Sequence, residues 1–417
     1  MPRVPRVRGA AALGLLALAG LLAGCTSAPT PTPTTTPTPT VRPAGDGTLT
    51  IGTLLPTTGG GTYITPPMAA AVKVAVTDIN AAGGVNGKPV VLVSRDSGDA
   101  STRTAEASFA DLVKNHADVV VGPVSSALAQ RLLDPAQKAG VPLISPAAGY
   151  PQLADQPDFF RTVPAFGHEG TVLGSLLPGK GAKEVVLVAT QEALGASIAA
   201  PLKAALAAHG GTLAASITVP LSGANAAAIA GQAKAAAPDA VVLATPDNGN
   251  LSRSLITALS SAGLGGTKLW LTGQNMADYS QALQGGMLAG VRGILEGAAA
   301  DAAFQAKLKG ATSGLGSFAY APETYDAVVL AALAADLAHD DAGPAVASHL
   351  VAASTGGIKC GSYAECVDVL RTEPDIDYDG LSGTLDLDRS DAPAVASYGV
   401  YAYDGSNKYA RSGTVRF

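Results

Sequence analysis

The residues best suited to catalysis are scattered along this 417-residue chain and do not assemble an active site. Its histidines include no H-E-x-x-H pair of the kind that binds zinc from one helix face; they are His116, His168, His209, His339 and His349. No G-x-S-x-G turn presents a serine nucleophile. The glycine run 59–61 lacks the third glycine of a dinucleotide-binding loop, because Ile64 occupies that spacing, and no Walker lysine follows. The sequence therefore predicts no catalytic residues, no metal and no cofactor.

One acidic segment has the spacing of a calcium-binding loop. Asp375, Asp377 and Asp379 occupy positions one, three and five, with Gly380 at position six and Asp386 at position twelve. Such a loop stands between two helices, and no helical pattern flanks this segment. We therefore expect these carboxylates not to bind calcium.

An N-terminal export signal precedes the first cysteine. Arg3, Arg6 and Arg8 come before an apolar run at 10–23, which is shorter than the about 20 residues that a membrane-spanning helix needs. The run ends in Leu22-Ala23-Gly24-Cys25, which resembles the lipobox of bacterial lipoproteins. This resemblance implies that Cys25 becomes the mature N-terminus and carries a diacylglyceryl group, which suffices for stable anchoring. The alternative is an unmodified cysteine after an ordinary signal.

Composition divides the chain into a signal peptide at 1–24, a lipidated cysteine with its linker at 25–47, and a folded body at 48–417. Thr26 to Pro43 is almost wholly Thr and Pro, which provides no apolar core and favours extended backbone. The chain as a whole is 47% apolar and only 14% charged, so the body can bury large cores. A net charge of -6 with scattered Lys and Arg excludes nucleic acid as an expected partner.

The two remaining cysteines, Cys360 and Cys366, stand close together in the folded body. Export would place them in an oxidising compartment, where disulfides persist. The sequence therefore predicts a disulfide between them.

Strand-like and helix-like segments alternate along residues 48–272. The predicted strands are Thr48–Leu55, Pro89–Ser94, Asp118–Gly122, Val141–Ser145, Glu184–Thr190, Gly211–Val219, Ala240–Thr245 and Lys268–Thr272. Strands alternating with helices predict parallel sheets covered on both faces, and the series occurs twice. We expect an α/β protein with two Rossmann-like lobes, completed by a helix at 322–337 and strand-like runs at 382–387 and 397–403.

An ordered set of segments resembles one protein family. The segments are Ile51–Pro56, Asp78–Gly87, Val121–Ser126, Ile144–Ala148, Phe160–Thr162, Tyr325–Ala327 and Tyr378–Gly383. In this order they are similar to the type I periplasmic binding proteins of the branched-chain amino acid and amide class, leucine-binding-protein-like substrate-binding components of ABC importers. The resemblance implies no enzymatic activity and two lobes that close on a ligand.

The resemblance also implies three crossings between the lobes, near 162–166, 294–299 and 379–385. We expect lobe 1 to cover about 48–163 and 298–380, and lobe 2 to cover about 164–297 and 381–417.

Several residues are candidates for contact with the ligand. Ser125 and Ser126 stand between a strand and a helix, where unpaired N–H groups and the helix dipole favour a carboxylate; a helix cap alone is the alternative. The resemblance implies that Ala147 and Ala148 offer backbone groups to the ligand head group. Tyr63, in the glycine-rich loop, either covers an apolar part of the ligand or is structural.

Three positions depart from the amino acid-binding relatives. Gly149 replaces a Ser or Thr whose hydroxyl contacts the ligand, and Leu194 replaces an aromatic residue. Gln274 and Asn275 stand where an acidic residue receives the ligand's ammonium. An unpaired buried ammonium costs several kcal/mol. Either Asp247 supplies the missing charge, therefore, or the ligand has no cation.

We expect a lipid-anchored protein of the cell envelope, at the outer face of the cytoplasmic membrane. It would capture a small polar solute, such as an amino acid or an amide, for the permease subunits of an ABC importer. A receptor lipoprotein that reports its ligand to a membrane partner is the alternative. An envelope hydrolase is disfavoured, because no nucleophile, base and orienting residue can be combined.

Overall fold

The computed structural model describes residues 45–190, 193–245, 249–387, 393 and 397–416. The predicted signal peptide, Cys25, the linker up to residue 44 and Asp247 lie outside the described residues. Within the described ranges, no helix is both long and apolar enough to cross a bilayer.

Fifteen strands are described in this part of the chain. They are β1 (Thr50–Leu55), β2 (Val91–Asp96), β3 (Val119–Val121), β4 (Leu143–Ser145), β5 (Phe159–Arg161), β6 (Glu184–Thr190), β7 (Thr212–Val219), β8 (Ala240–Ala244), β9 (Leu269–Leu271), β10 (Arg292–Glu296), β11 (Ile358–Cys360), β12 (Ile376–Gly380), β13 (Gly383–Thr384), β14 (Ser397–Tyr403) and β15 (Tyr409–Arg416).

Eleven α-helices are described alongside these strands. They are α1 (Thr65–Ala81), α2 (Thr104–Lys114), α3 (Ser126–Ala139), α4 (Gly167–Gly179), α5 (Ala193–Ala208), α6 (Ala226–Ala235), α7 (Asn250–Leu259), α8 (Ala302–Ala311), α9 (Ala321–Ala338), α10 (Gly343–His349) and α11 (Tyr363–Leu370).

The first lobe is built on a parallel sheet in the order β2-β1-β3-β4-β5. Helices connect its successive strands, as parallel pairing requires. The long helix α9 packs against α1 in this lobe and is buried on nearly all sides. Its run of Ala, Val and Leu has no polar face, which is typical of a helix enclosed by its neighbours.

The second lobe is built on a seven-stranded sheet in the order β15-β14-β10-β9-β8-β6-β7. Strands β6 to β10 pair in parallel, whereas β14 runs antiparallel to both β10 and β15. This sheet is thus mixed: the predicted parallel strands are confirmed in β6 to β10, and β14 and β15 extend them as an antiparallel pair. A tight turn at 404–408 joins β14 to β15, and so short a connection allows only antiparallel pairing.

The predicted lobe boundary at residues 380/381 is wrong. Leu385 and Leu387 are buried in the same apolar core as α1 and α9, so the first lobe extends past this point. Similarly, β10 continues to Glu296, so the second crossing begins later than the predicted 294–299. Of the predicted strand at 382–387, only Gly383–Thr384 is a strand, and β15 was not predicted at all.

A small sheet of β11, β12 and β13 carries the second cysteine, and α11 carries the third. Cys360 in β11 and Cys366 in α11 are joined by a disulfide with an S–S distance of 1.99 Å. This bond ties the small sheet to the helix that packs beside it.

The acidic segment with calcium-loop spacing holds a cation of the protein itself. The Lys359 ammonium lies 3.1 Å from Asp377 and 2.7 Å from Asp379. Across the described ranges, no group of three or more His, Cys, Asp or Glu residues is arranged to hold a metal.

Candidate ligand-binding cleft

A cavity of about 550 Å³ lies between the two lobes, a size typical of small-molecule sites. It is lined from the first lobe by Tyr63, Asp99, Ser125, Ser126, Ala147 and Tyr150, and from the second by Phe166, Leu221, Gln274 and Glu296. Its walls combine aromatic rings with a few polar groups. Such a cavity can enclose a small ligand that both lobes contact.

Two serines at the amino end of α3 form part of one wall of the cleft. Ser125 has extended backbone and caps no N–H of the helix, and Ser126 is the first helical residue. The Ser126 hydroxyl accepts a hydrogen bond from the Tyr150 N–H at 3.2 Å, which leaves its proton available for donation. The structure thus brings both serines to the cleft, with Ser126 also fastening the neighbouring loop.

In the loop after β4, backbone N–H groups of residues predicted to serve a ligand are bound by a side chain of the protein. The Ser145 hydroxyl accepts hydrogen bonds from the N–H groups of Ala147 and Ala148, at 3.4 and 2.9 Å. These two N–H groups are therefore engaged within the protein, and of the backbone groups predicted to serve a ligand the carbonyls remain. Ala147 lines the cleft, whereas Ala148 is buried outside it.

Gly149 packs beneath an aromatic ring and does not line the cleft. A Cβ atom at this position would lie 2.3 Å from the Phe166 ring, which leaves no room for any side chain. Its carbonyl accepts a hydrogen bond from the Phe166 N–H at 2.8 Å. The Phe166 ring stands edge-on to Tyr150, with ring centroids 5.7 Å apart, so an aromatic wall lies beside the space that a hydroxyl at 149 would reach.

Tyr63 connects the two lobes. Its side chain is 37% exposed, and its hydroxyl donates a hydrogen bond to the Met276 carbonyl of the second lobe at 3.0 Å. It also lines the cleft. Tyr63 is thus placed both to cover a ligand and to stabilise the approach of the lobes.

Gln274 and Asn275 face in different directions. Gln274 lines the cleft, and its buried Oε1 atom has no hydrogen-bond partner among the residues that the structure describes. Asn275 is fully buried and forms a capping box with Thr272, while its Nδ2 donates to the Leu243 carbonyl at 2.8 Å. Because its amide is fully engaged, Asn275 is a structural cap and not a ligand contact.

A pair of glutamates, which the sequence did not single out, lies at the floor of the cleft, where Glu296 lines the cavity and Glu169 adjoins it from outside the lining. Glu169 in α4 is fully buried and Glu296 at the end of β10 is 3% exposed. The Gly273 N–H donates to Glu169 Oε1 at 2.8 Å, and the Gln274 amide donates to the same atom at 3.3 Å. A Cβ at Gly273 would lie 2.1 Å from Glu296 Oε2 and 2.8 Å from Glu169 Oε1, so this glycine gives both carboxyls room.

Burial changes the ionisation of this pair. It raises the pKa of Glu296 to about 7, and hydrogen bonds from Glu169 and Tyr320 favour the ionised form of Glu296. Burial, then the negative charge of Glu296, raises the pKa of Glu169 well above its usual range. Two carboxyls that are buried side by side, each with a raised pKa, favour retention of one shared proton near neutral pH.

The rim of the cleft in the first lobe has a different ionisation. Hydrogen bonds from the hydroxyl and the N–H of Ser101 lower the pKa of Asp99. Asp99 therefore stays ionised near neutral pH, in contrast to the glutamate pair, which retains a proton.

Only a weak sequence signal marked the glutamate pair. Glu296 ends the otherwise apolar run Gly293–Leu295, and a carboxylate within a buried strand is rarely present without a partner. Glu169 lies in α4, a glycine-rich helix that the sequence analysis did not predict.

Residues 48–408 match the model of a protein family described as "Periplasmic binding protein". The chain belongs to the periplasmic binding protein family. Members of this family and its solved structural relatives bind solutes and are not enzymes.

Two relatives of this protein have names that state a function. The chemotactic signal transduction system substrate-binding protein BasB of Halobacterium salinarum is 27% identical over 81% of this chain and 83% of its own length. The Leu/Ile/Val-binding protein BraC3 of Rhizobium johnstonii is 27% identical over 56% of this chain and 67% of its own.

Solved structures of similar fold include a branched-chain amino acid transporter substrate-binding protein, LivJ of Streptococcus pneumoniae, in complex with isoleucine. It has a TM-score of 0.67 and 20% identity, covering 89% of this chain and 99% of its own. An ABC-transporter solute-binding protein of Rhodopseudomonas palustris in complex with p-hydroxybenzoic acid has a TM-score of 0.69 and 18% identity, covering 89% and 97%. At these identities the similarity shows the two-lobed fold alone.

Proposed function

We propose that this solute-binding protein is a lipid-anchored component of an ABC importer that captures a small polar solute outside the cytoplasmic membrane and delivers it to permease subunits. The observation that carries the proposal is a cavity lined by residues of both lobes. Ser126 and Tyr63 contribute from one side, and Gln274 and Glu296 from the other. A ligand that contacts both lobes favours their closed arrangement, and a permease can recognise that arrangement.

The test is a thermal-shift screen of the mature protein, purified in detergent, against amino acids, amides, carboxylates, amines, nucleosides and sugars. A ligand that binds only the folded state raises the melting temperature, with stabilisation of about 2.7 kcal/mol at a concentration 100 times its Kd. We expect one chemical class to produce a shift that Ser126→Ala reduces.

Ser175→Ala is the matched control, because Ser175 lies in α4 outside the cleft and its hydroxyl bonds only the Thr171 carbonyl of its own helix. It should leave the ligand-induced shift unchanged. A folded, ligand-free protein that responds to no class of compound would contradict solute capture.

Membrane attachment is tested separately at Cys25. We expect the wild-type protein to incorporate a labelled fatty acid and to sediment with membranes. The Cys25→Ser variant should do neither. Equal fractionation of both forms would refute lipid anchoring and would leave solute binding untouched.

A sensory role is the second candidate, and the relative BasB favours it because its name places it in a chemotactic signalling system. Deletion of the gene distinguishes the two roles. Lost uptake of the identified ligand supports import, whereas retained uptake with a lost behavioural or transcriptional response supports sensing.

A further inference from the structure

A buried pair of carboxyls, Glu169 and Glu296, adjoins the cleft. Within the residues that the structure describes, no amide or hydroxyl group donates a hydrogen bond to the buried Oε2 atom of either glutamate. Glu296 lines the cavity, and Glu169 lies beside it at Gly273, which also lines the cavity. Buried acceptors without such donors are rare in proteins, and this pair stands next to a ligand-sized space.

The donors that reach this pair from the protein are neutral. They are the Gly273 N–H, the Gln274 amide and the Tyr320 hydroxyl. Among the described residues, neither glutamate takes part in an ion pair with Lys, Arg or His.

Other titratable groups lie near the pair. Tyr398 and Tyr401 on β14 and Tyr320 before α9 interact with the glutamates directly, and His168 on α4, Arg161 on β5 and Tyr63 before α1 interact with these groups or adjoin them. The tyrosines stay neutral because burial raises the pKa of Tyr320 and Tyr398 well above the usual range. The pKa of His168 is lowered by burial and by the charge of Arg161, so this imidazole also stays neutral near pH 7.

We propose that the Glu169–Glu296 pair is a proton-linked subsite for a cationic nitrogen of the ligand, an ammonium, amidinium or guanidinium group. This rests on the proposed solute-binding function and specifies the chemistry of its ligand. The N–H groups of the cation donate to the two Oε2 atoms, and a proton held by the pair leaves to solvent. One positive charge enters the site and one departs, so the buried charge is unchanged.

An anionic head group would produce the opposite linkage. A ligand carboxylate could approach this floor only with both glutamates protonated and donating, so its binding would take up a proton. The direction of proton exchange therefore distinguishes a cation subsite from an acid subsite.

The experiment uses shape-matched sets of an amine or amidine, its amide and its acid. One set is benzamidine, benzamide and benzoate; a second is isoamylamine, isovaleramide and isovalerate; L-leucine is added as a zwitterion. Calorimetric titrations of the mature protein are run at pH 6, 7 and 8 in buffers of different ionisation enthalpy, which counts the protons exchanged. An infrared titration of the ligand-free protein follows carboxyl protonation, with Glu296→Gln as reference.

We expect a cation to bind more tightly than its amide and acid, to release a proton, and to weaken by up to about tenfold per pH unit below pH 7. Glu296→Gln should weaken the cation by about 30-fold or more and abolish the proton release, because it removes a buried charge partner. Glu323→Gln is the matched control, since Glu323 is an equally buried glutamate that accepts from the Ala298 N–H and does not line this cavity. It should retain the proton release.

Three results would overturn the proposal. An acid that binds best with proton uptake would assign an anion subsite and leave solute capture intact. Ionised carboxyls for both glutamates at pH 6 in the infrared titration would remove the proton on which the linkage depends. Binding of none of these compounds would reject the cation subsite, and solute capture would then be judged by the wider thermal-shift screen.

Discussion

Replacement of Asn275 by alanine should destabilise the fold without changing ligand recognition. The Asn275 Oδ1 accepts from the buried Thr272 N–H at 3.0 Å, and its Nδ2 donates to the Leu243 carbonyl and to Thr245 Oγ1. Alanine leaves the Thr272 N–H without an acceptor, at a cost of about 1–3 kcal/mol, and each lost neutral hydrogen bond adds about 1 kcal/mol. We therefore expect the free energy of unfolding to fall by about 3 kcal/mol.

Urea unfolding followed by circular dichroism measures this change, provided that the slope of the transition is the same in both proteins. Gln274→Ala is the adjacent control, since Gln274 lines the cleft and makes one long hydrogen bond of 3.3 Å. We expect it to change stability by less than about 1 kcal/mol and to alter the ligand response. Unchanged stability in Asn275→Ala, together with a lost ligand response, would refute the structural role and make this residue a ligand contact.

Three further predictions concern other parts of the molecule. Replacing both Cys360 and Cys366 by serine opens a bond between residues six apart in sequence and should lower the free energy of unfolding by about 2 kcal/mol, measured in urea; no change would contradict a stabilising disulfide. Burial, followed by the charges of Asp341, Asp46 and Asp340, raises the pKa of Asp118 to about 7 despite its hydrogen bond from Thr50. The folded state therefore binds the Asp118 proton more tightly than the unfolded state, so the stability that it contributes is complete near pH 4 and is lost as the pH rises towards 7. The change in urea midpoint caused by Asp118→Asn, relative to wild type, should accordingly be more favourable at pH 8 than at pH 5. An equal change at both pH values would count against the raised pKa. Tyr63→Phe removes the hydrogen bond to Met276 and should weaken ligand binding by about fivefold in calorimetry, whereas unchanged affinity would show that this bond does not stabilise the closed arrangement.

The alternation of strands and helices could be predicted because each element has its own local pattern. Strand β6 begins and ends at its predicted residues, and the region from β1 to β9 follows the predicted order. The final strand β15 was not recognised, because it mixes Arg, Ser, Gly and Thr with few apolar residues and depends on pairing with β14 for its structure. Local pattern alone does not identify such an edge strand.

The cleft was predictable only in part. The serines after β3 stand at a strand-to-helix junction, a local feature that sequence shows directly. Glu169 and Glu296 come from different elements and meet only in the folded protein, where both carboxyls lie close to Gly273, so no spacing in the sequence links them. The resemblance implied that backbone groups of Ala147 and Ala148 serve a ligand, and the sequence could not show that the Ser145 hydroxyl accepts hydrogen bonds from both of their N–H groups, because that depends on the orientation of the Ser145 side chain.

The contact between Gly149 and Phe166 affects how the ligand-binding cleft could be redesigned. A serine at 149 collides with the ring, and a smaller residue at 166 leaves a void above the glycine, so each single change is harmful for its own reason. A mutational scan that varies one position at a time would score both sites as intolerant. Positions 149 and 166 must therefore be changed together. A library that includes serine at 149 with alanine at 166 could yield a cleft of different polarity.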